Sequence, residues 1–170
     1  MSIVTTDEIA DLSDPAALDA RGRRLFDYWR EKRGSRKMPA RADIEPTDIP
    51  ELLSEIGLVD VLPHPPHLRY RLAGTRQVAA RGYDPTGKPV AECHLGLGVP
   101  GMLARVLANY ERVIADRRPL FRDLSIPGND NRGDILFGAR LIARFTLFLP
   151  LATDGEKVDM VLTYTRFEEM

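Results

Sequence analysis

The sequence predicts an α+β domain: a five-stranded antiparallel sheet with helices packed on one face, plus an N-terminal helix. Three observations carry that prediction. Leu68 to Thr75 begins as an alternating strand, with Leu68, Tyr70 and Leu72 on one side and Arg69 and Arg71 on the other. After Pro100, Leu103, Val106, Leu107, Tyr110, Val113 and Ile114 form one apolar stripe at helical spacing. Three apolar segments separated by turn clusters follow it and read as strands. Strands that bracket a group of helices bury their faces as two packed layers.

Residues 1–13 are expected to be a loosely held arm. Residues 14–54 comprise the N-terminal helix and a Pro-rich linker, and residues 55–170 the sheet domain. Asp14 is the expected N-cap, with Pro15 at the first helical position. Leu18, Leu25, Phe26 and Trp29 share one face, and Gly34 is the expected stop. Gly22 weakens this helix or admits a close neighbour. In the linker, SRKMPARADIEPTDIP, three prolines forbid a continuous helix. Asp43 and Asp48 suit caps of short turns, and Pro50 to Leu53 reads as one more. Ile56 to Leu62 is the first strand, and the turn Pro63 to His67 leads into the second. The amphipathic helix runs from Pro100 to Pro119. Its six stripe residues contribute about 1.5–3 kcal/mol each on full burial, before entropy is set against them. Strands are expected at Leu120 to Ile126, Arg140 to Leu151 and Val158 to Phe167. A Gly-Asn-Asp-Asn loop separates the first two, and an Asp154-Gly155 hairpin turn the last two.

At 170 residues the length suits one domain with an extension, large enough to bury a core without staples. The chain is 44% apolar and 29% charged, a globular composition. A net charge of −1 gives no general attraction to nucleic acid or anionic membrane. The single cysteine, Cys93, excludes an internal disulfide and fits a reducing cytoplasm. The first residues lack a basic start and an apolar core, unlike a secretory signal. No apolar run reaches membrane-spanning length.

Leu68 to Gly87, LRYRLAGTRQVAARGYDPTG, joins a strand to a short helical segment and a turn cluster. A strand ending RYRLAGT, a short helix, and GYDPTGK before a longer helix resembles the front half of a PAS domain. More closely, it resembles a family of stand-alone bacterial PAS-like proteins. The linker carries the same resemblance through Arg36, Met38-Pro39, Arg41, Asp43-Ile44, Pro46 and Asp48-Ile49-Pro50. It spans about Leu25 to Phe167 and is strongest between Trp29 and Glu92. The resemblance implies a PAS core behind an added N-terminal helix. It also implies a sensor or interaction module rather than an enzyme, with no output domain expected after the last strand.

Candidate chemistry is sparse. His64 and His67 stand three apart beside prolines, without the further ligands a metal needs. Haem-binding PAS domains carry their histidine on the long helix, where this chain has none; His94 lies outside it. Flavin-binding photosensors place a cysteine near Cys93 in an Asn-Cys-Arg-Phe-Leu-Gln motif, but here the residues are Glu92-Cys93-His94-Leu95-Gly96-Leu97. Haem and flavin are therefore not expected, and the cofactor is unknown. Gly96 to Gly101 lacks the lysine of a phosphate loop, and Pro100 removes an amide. Ser54 and Ser125 have neither a nucleophile elbow nor a base. Asp7, Glu8 and the other carboxylates are scattered, so no catalytic constellation forms. The basic stretch Arg21 to Lys37 has no aromatic ladder or known binding motif, so nucleic acid is not the expected partner.

Two functional readings follow. In one, a small molecule binds between the sheet and the long helix. The pocket candidates are Tyr70, Leu72, Val78, Tyr83, Leu107, Tyr110, Phe145 and Tyr164, whose tyrosine hydroxyls can orient a ligand in an apolar wall. In the other, the domain is a ligand-free interaction module. Leu18, Leu25, Phe26 and Trp29 would then pair with a second copy or with a signalling partner. Either way the signal leaves through a surface, to a homodimer partner or a signalling protein such as a histidine kinase or response regulator. Replacing Leu25, Phe26 and Trp29 by polar residues is expected to give a folded monomer.

Overall fold

The protein is described by a computed structural model that covers residues 4, 7–93, 102–124, 134–136 and 141–169. Among these residues, six strands make one antiparallel sheet: β1 (Ile56–Val61), β2 (Leu68–Ala73), β3 (Leu120–Asp123), β4 (Asp134–Leu136), β5 (Leu141–Leu151) and β6 (Met160–Glu169). The main order is β2-β1-β6-β5-β3, the expected five strands. The short β4 falls in a stretch expected to be loop, and it pairs with the start of β5. The helices are α1 (Ala20–Arg33), α2 (Thr75–Arg81), α3 (Val90–Cys93) and α4 (Met102–Asp116).

The start of α1 differs from expectation. Asp14 caps only a 3-10 turn, Pro15–Ala17, accepting from the Ala16 amide at 2.9 Å. Leu18 is extended and breaks the helix. A second cap then starts α1: Asp19 Oδ1 accepts from the Gly22 amide at 2.7 Å. Gly34 ends the helix as expected, at φ 59°. Gly22 makes room for a side chain, since a Cβ there would lie 2.6 Å from Leu18 Cδ1.

α1 lies on the face of the sheet opposite α2 and α4, so the sheet is covered on both sides. Trp29 Nε1 donates to the Pro150 carbonyl of β5 at 2.9 Å, in a buried setting. Phe26 stacks on Trp29 at 6.1 Å between centroids. Tyr164 of β6 donates to Asp19, and Arg166 forms an ion pair with the same carboxylate. The linker completes this layer in three 3-10 turns, Arg41–Asp43, Pro46–Asp48 and Pro50–Leu52. Asp43 reaches back to the Ala40 amide at 2.8 Å, whereas Asp48 ends its turn and accepts from the Tyr28 hydroxyl. Met38, Ile44, Ile49 and Leu52 are buried beneath these turns.

Two expectations are corrected here. The arm is not loose in its described part: Ile9 and Leu12 are buried, and Ala10 bridges Leu120 as a short parallel addition to the edge of β3. The Ala10 amide donates to the Pro119 carbonyl at 2.8 Å, and the Phe121 amide donates to the Ala10 carbonyl at 2.9 Å. Nor do Leu18, Leu25, Phe26 and Trp29 form a surface. They are at most 1% exposed, and their apolar stripe is spent on this chain's own sheet.

Two bulges set which side chains face which layer. In β2, Leu72 pairs with Leu58 and Tyr70 with Val59, so Arg71 is an extra residue. In β5, Ala143 pairs with Phe167 and Phe145 with Arg166, so Arg144 is extra. Each bulge reverses the inward and outward alternation beyond it.

The burial of Trp29 turns the expected folded monomer into its opposite. Trp29→Ala should cost about 3–5 kcal/mol in urea unfolding. Polar residues at Leu25, Phe26 and Trp29 together should abolish cooperative unfolding. A soluble triple variant with a normal unfolding transition would show that α1 is dispensable to the core.

Candidate functional site

A cavity of about 100 Å³ lies between the sheet and helices α2 and α4. The turn into α2 brings the first wall close. A Cβ at Gly74 would sit 2.5 Å from the Ser54 carbonyl oxygen, so only glycine lets β2 turn there. Arg76 then donates its amide to Ser54 at 2.8 Å. Along α2, Gln77, Ala80 and Arg81 fall on one face, spaced three and four apart, and line the cavity. Gly57 of β1 lets Gln77 lie flat on the sheet, since a Cβ there would meet Gln77 at 3.1 Å and Thr163 Oγ1 at 2.9 Å. From α4 come Val106, Asn109 and Tyr110. The floor is threonine-rich, and the Thr146 and Thr165 hydroxyls share a hydrogen bond at 3.1 Å across β5 and β6.

The cavity is cationic. Among the described residues, Arg81 and Arg122 are the charged ones lining it, and no carboxylate joins them. Arg81 lies over the Tyr70 ring at 4.9 Å and donates Nη2 to the Tyr70 hydroxyl at 3.0 Å. Burial works against the charge of Arg81, but Tyr70, Tyr110 and Tyr83 outweigh it, and its pKa stands above the ordinary value. Burial raises the Tyr70 phenol, and the Arg81 cation opposes that rise. Tyr110 is held well above its ordinary value, again by burial, and packs edge-on to Phe148 at 5.3 Å. Both phenols are therefore neutral hydrogen-bonding groups beside a fixed cation.

Of the eight expected pocket residues, the structure brings Tyr70 and Tyr110 together here. Val78, Tyr83 and Leu107 are half-buried and do not line the cavity. The Tyr83 hydroxyl instead donates to the Cys93 carbonyl at 2.8 Å. Leu72, Phe145 and Tyr164 lie on the opposite face. Leu72 and Phe145 are turned there by the two bulges, and Tyr164 by its register on β6. Phe121, Phe145 and Tyr164 form an aromatic row under α1, with centroids 5.1 and 5.9 Å apart. The polar half of the cavity, Gln77, Arg81, Asn109, Arg122 and the threonines, lies outside the aromatic and large apolar set expected from the sequence. In the sequence Gln77 and Arg81 stand only as polar positions four apart on a short helix, and nothing there shows which face meets the sheet.

The other candidates settle into local roles. Cys93 is buried at the end of α3. The His67 ring contacts the Leu62 carbonyl at 3.3 Å within the hairpin turn. Among the described residues, no three His, Cys, Asp or Glu side chains gather as metal ligands. His94, Gly96 to Gly101, Ser125 and the Gly-Asn-Asp-Asn loop lie outside the described residues. Much of the basic stretch is matched by this chain's own acids: Arg21 with Glu55, Arg24 with Glu51, Arg30 with Glu8 and Asp27, and Arg36 with Asp43. That pairing leaves less positive charge for an external polyanion.

All five tyrosines, at positions 28, 70, 83, 110 and 164, have pKa values raised above 10.0, with burial the leading cause in each. Folding thus favours the protonated phenols. Their contribution is complete below the unfolded value and is lost as pH climbs through the folded values. Absorbance at 295 nm should show little phenolate near pH 10 in the folded protein and ordinary titration in denaturant. Full ionisation near pH 10 without unfolding would contradict this packing.

Comparison with known proteins agrees with the architecture. The PAS domain family model matches residues 19–164, from the cap of α1 to the aromatic row on β6. No curated protein and no solved structure matches the sequence. The match covers most of the chain and every layer of the fold, and the protein belongs to the PAS domain family.

Proposed function

We propose that this protein is a cytoplasmic bacterial regulator that senses a small anionic molecule between the sheet and helices α2 and α4. PAS domains are in general sensory and signalling modules, and in this reading the activity is binding rather than catalysis. One observation carries the choice of ligand: among the described residues, the cavity is lined by two arginines and no carboxylate. A cation held inside a fold favours a complementary negative charge. The Tyr70 hydroxyl fixes the Arg81 guanidinium, and Gln77, Asn109 and the threonines add neutral hydrogen-bonding groups around it. A cavity of about 100 Å³ suits a solute of a few heavy atoms and not a large cofactor. The signal then passes to a partner such as a histidine kinase, a response regulator or a second copy of this chain. A homodimer would form through surfaces other than the buried stripe of α1.

The same small volume favours the alternative reading, a ligand-free interaction module. Ligand pockets are usually about 300–1,000 Å³. Thermal denaturation in acetate, pyruvate or phosphate, each against chloride at equal ionic strength, separates the two. The sensor reading expects one of these anions to raise the midpoint saturably by several degrees. Arg81→Gln should lose that shift, and Arg81→Lys should retain part of it. A flat response to all three anions, with native mass spectrometry of freshly purified protein giving the bare chain mass, would establish the ligand-free reading instead.

A further inference from the structure

A second cavity, of about 360 Å³, opens on the other face of the sheet, between the linker and the β1–β2 edge. Its walls are aliphatic: Ile44 and Ile49 from the linker turns, Ile56 and Leu58 from β1, Leu72 from β2 and Leu162 from β6. Its volume lies within the range of small-molecule sites. The bulge at Arg71 builds it. Without that extra residue, Leu72 would share the face of Tyr70. Among the described residues, the exposed large hydrophobics are Leu53 at 36% and Leu72 at 42%, and both line this cavity. Exposed apolar surface that is concave and gathered in one place marks a binding site more often than chance exposure does.

Among the described residues, Arg41 is the charged one lining this cavity. Its Nη1 donates to the Ile44 carbonyl at 2.9 Å, which holds the guanidinium at the wall. Among the described residues, no carboxylate stands within ion-pair distance of it, although Arg36 beside it in the linker is matched by Asp43. The site therefore combines an aliphatic trough with one positioned cation. The complementary ligand has an apolar tail and a single anionic head. We propose that this groove binds a medium-chain fatty acid, its alkyl chain along Leu58, Leu72 and Leu162 and its carboxylate on Arg41. This site is separate from the cavity at Arg81, so either can fail without the other.

Octanoate is the probe, with octan-1-ol as its uncharged counterpart, titrated into the full chain and followed by amide chemical shifts. Octanoate should bind saturably and move the amides of Ile49, Leu53 and Leu72, leaving those of Tyr110 and Thr165 in place. Arg41→Gln should weaken octanoate about tenfold, the scale of one charge-assisted hydrogen bond. The same change should leave octanol unaffected. Leu72→Glu, at an exposed position, should weaken both ligands while the thermal midpoint is kept. Several outcomes would overturn the proposal. Octanoate binding could be absent, its shifts could centre on the Arg81 cavity, or Arg41→Gln could weaken octanoate and octanol equally. Sedimentation showing that Leu72→Glu converts a dimer to a monomer would assign the groove to a second copy instead.

Discussion

The sheet of this protein is buried on both faces, and its other features depend on that constraint. One face carries α2 and α4; the other carries α1 and the linker turns. A strand between two layers cannot send polar residues to water on one side, so alternate side chains must each find a packed destination. The middle of β6 illustrates this: Val161, Leu162, Thr163, Tyr164 and Thr165 are all buried. The bond from Trp29 to the Pro150 carbonyl fixes α1 on the sheet and satisfies the one polar atom of a large aromatic residue. Asp19 acts in the same layer, since one carboxylate caps α1 and receives both Tyr164 and Arg166.

Two covered faces allow two binding surfaces, and the bulges decide what each contains. The bulge in β2 leaves Tyr70 with Arg81 in the polar cavity and sends Leu72 to the aliphatic groove. The bulge in β5 leaves Ala143 beside Phe167 and sends Phe145 to the aromatic row under α1. The cavity toward α4 thereby becomes small, polar and cationic. The groove on the opposite face becomes apolar, with Arg41 at its wall. These characters come from backbone irregularities of one residue each, at Arg71 and Arg144.

That geometry explains how much was legible in the sequence. The stripe of α4, the alternation in β2 and the turn residues Gly34, Gly82 and Gly155 follow from local periodicity and backbone preference, so element order and fold class could be read directly. The linker turns could be read from their prolines. The bulges could not, because Arg71 and Arg144 obey the alternation of a regular strand and only pairing with a neighbour shows them to be extra. Leu72 and Phe145 were misplaced for this reason. The stripe on α1 was identified correctly, but a stripe does not say whether it meets its own sheet or a second chain. The side of Trp29 that matters is its Nε1, whose acceptor lies far along the sequence. The polar cavity was hidden because Gln77, Arg81 and Thr163 carry no signal of their own until α2 folds over Gly57.

α1 and the sheet form one cooperative unit rather than a core with a detachable helix. Native-state hydrogen exchange tests it most directly, since it reports the free energy of opening for each amide. The amides of Leu25 to Trp29 should exchange only through the same global opening as those of Leu147 and Leu149 in β5 and Leu162 in β6, with equal dependence on denaturant. Exchange of the α1 amides through a much smaller local opening, while the sheet stays protected, would contradict the account and make α1 a separable element.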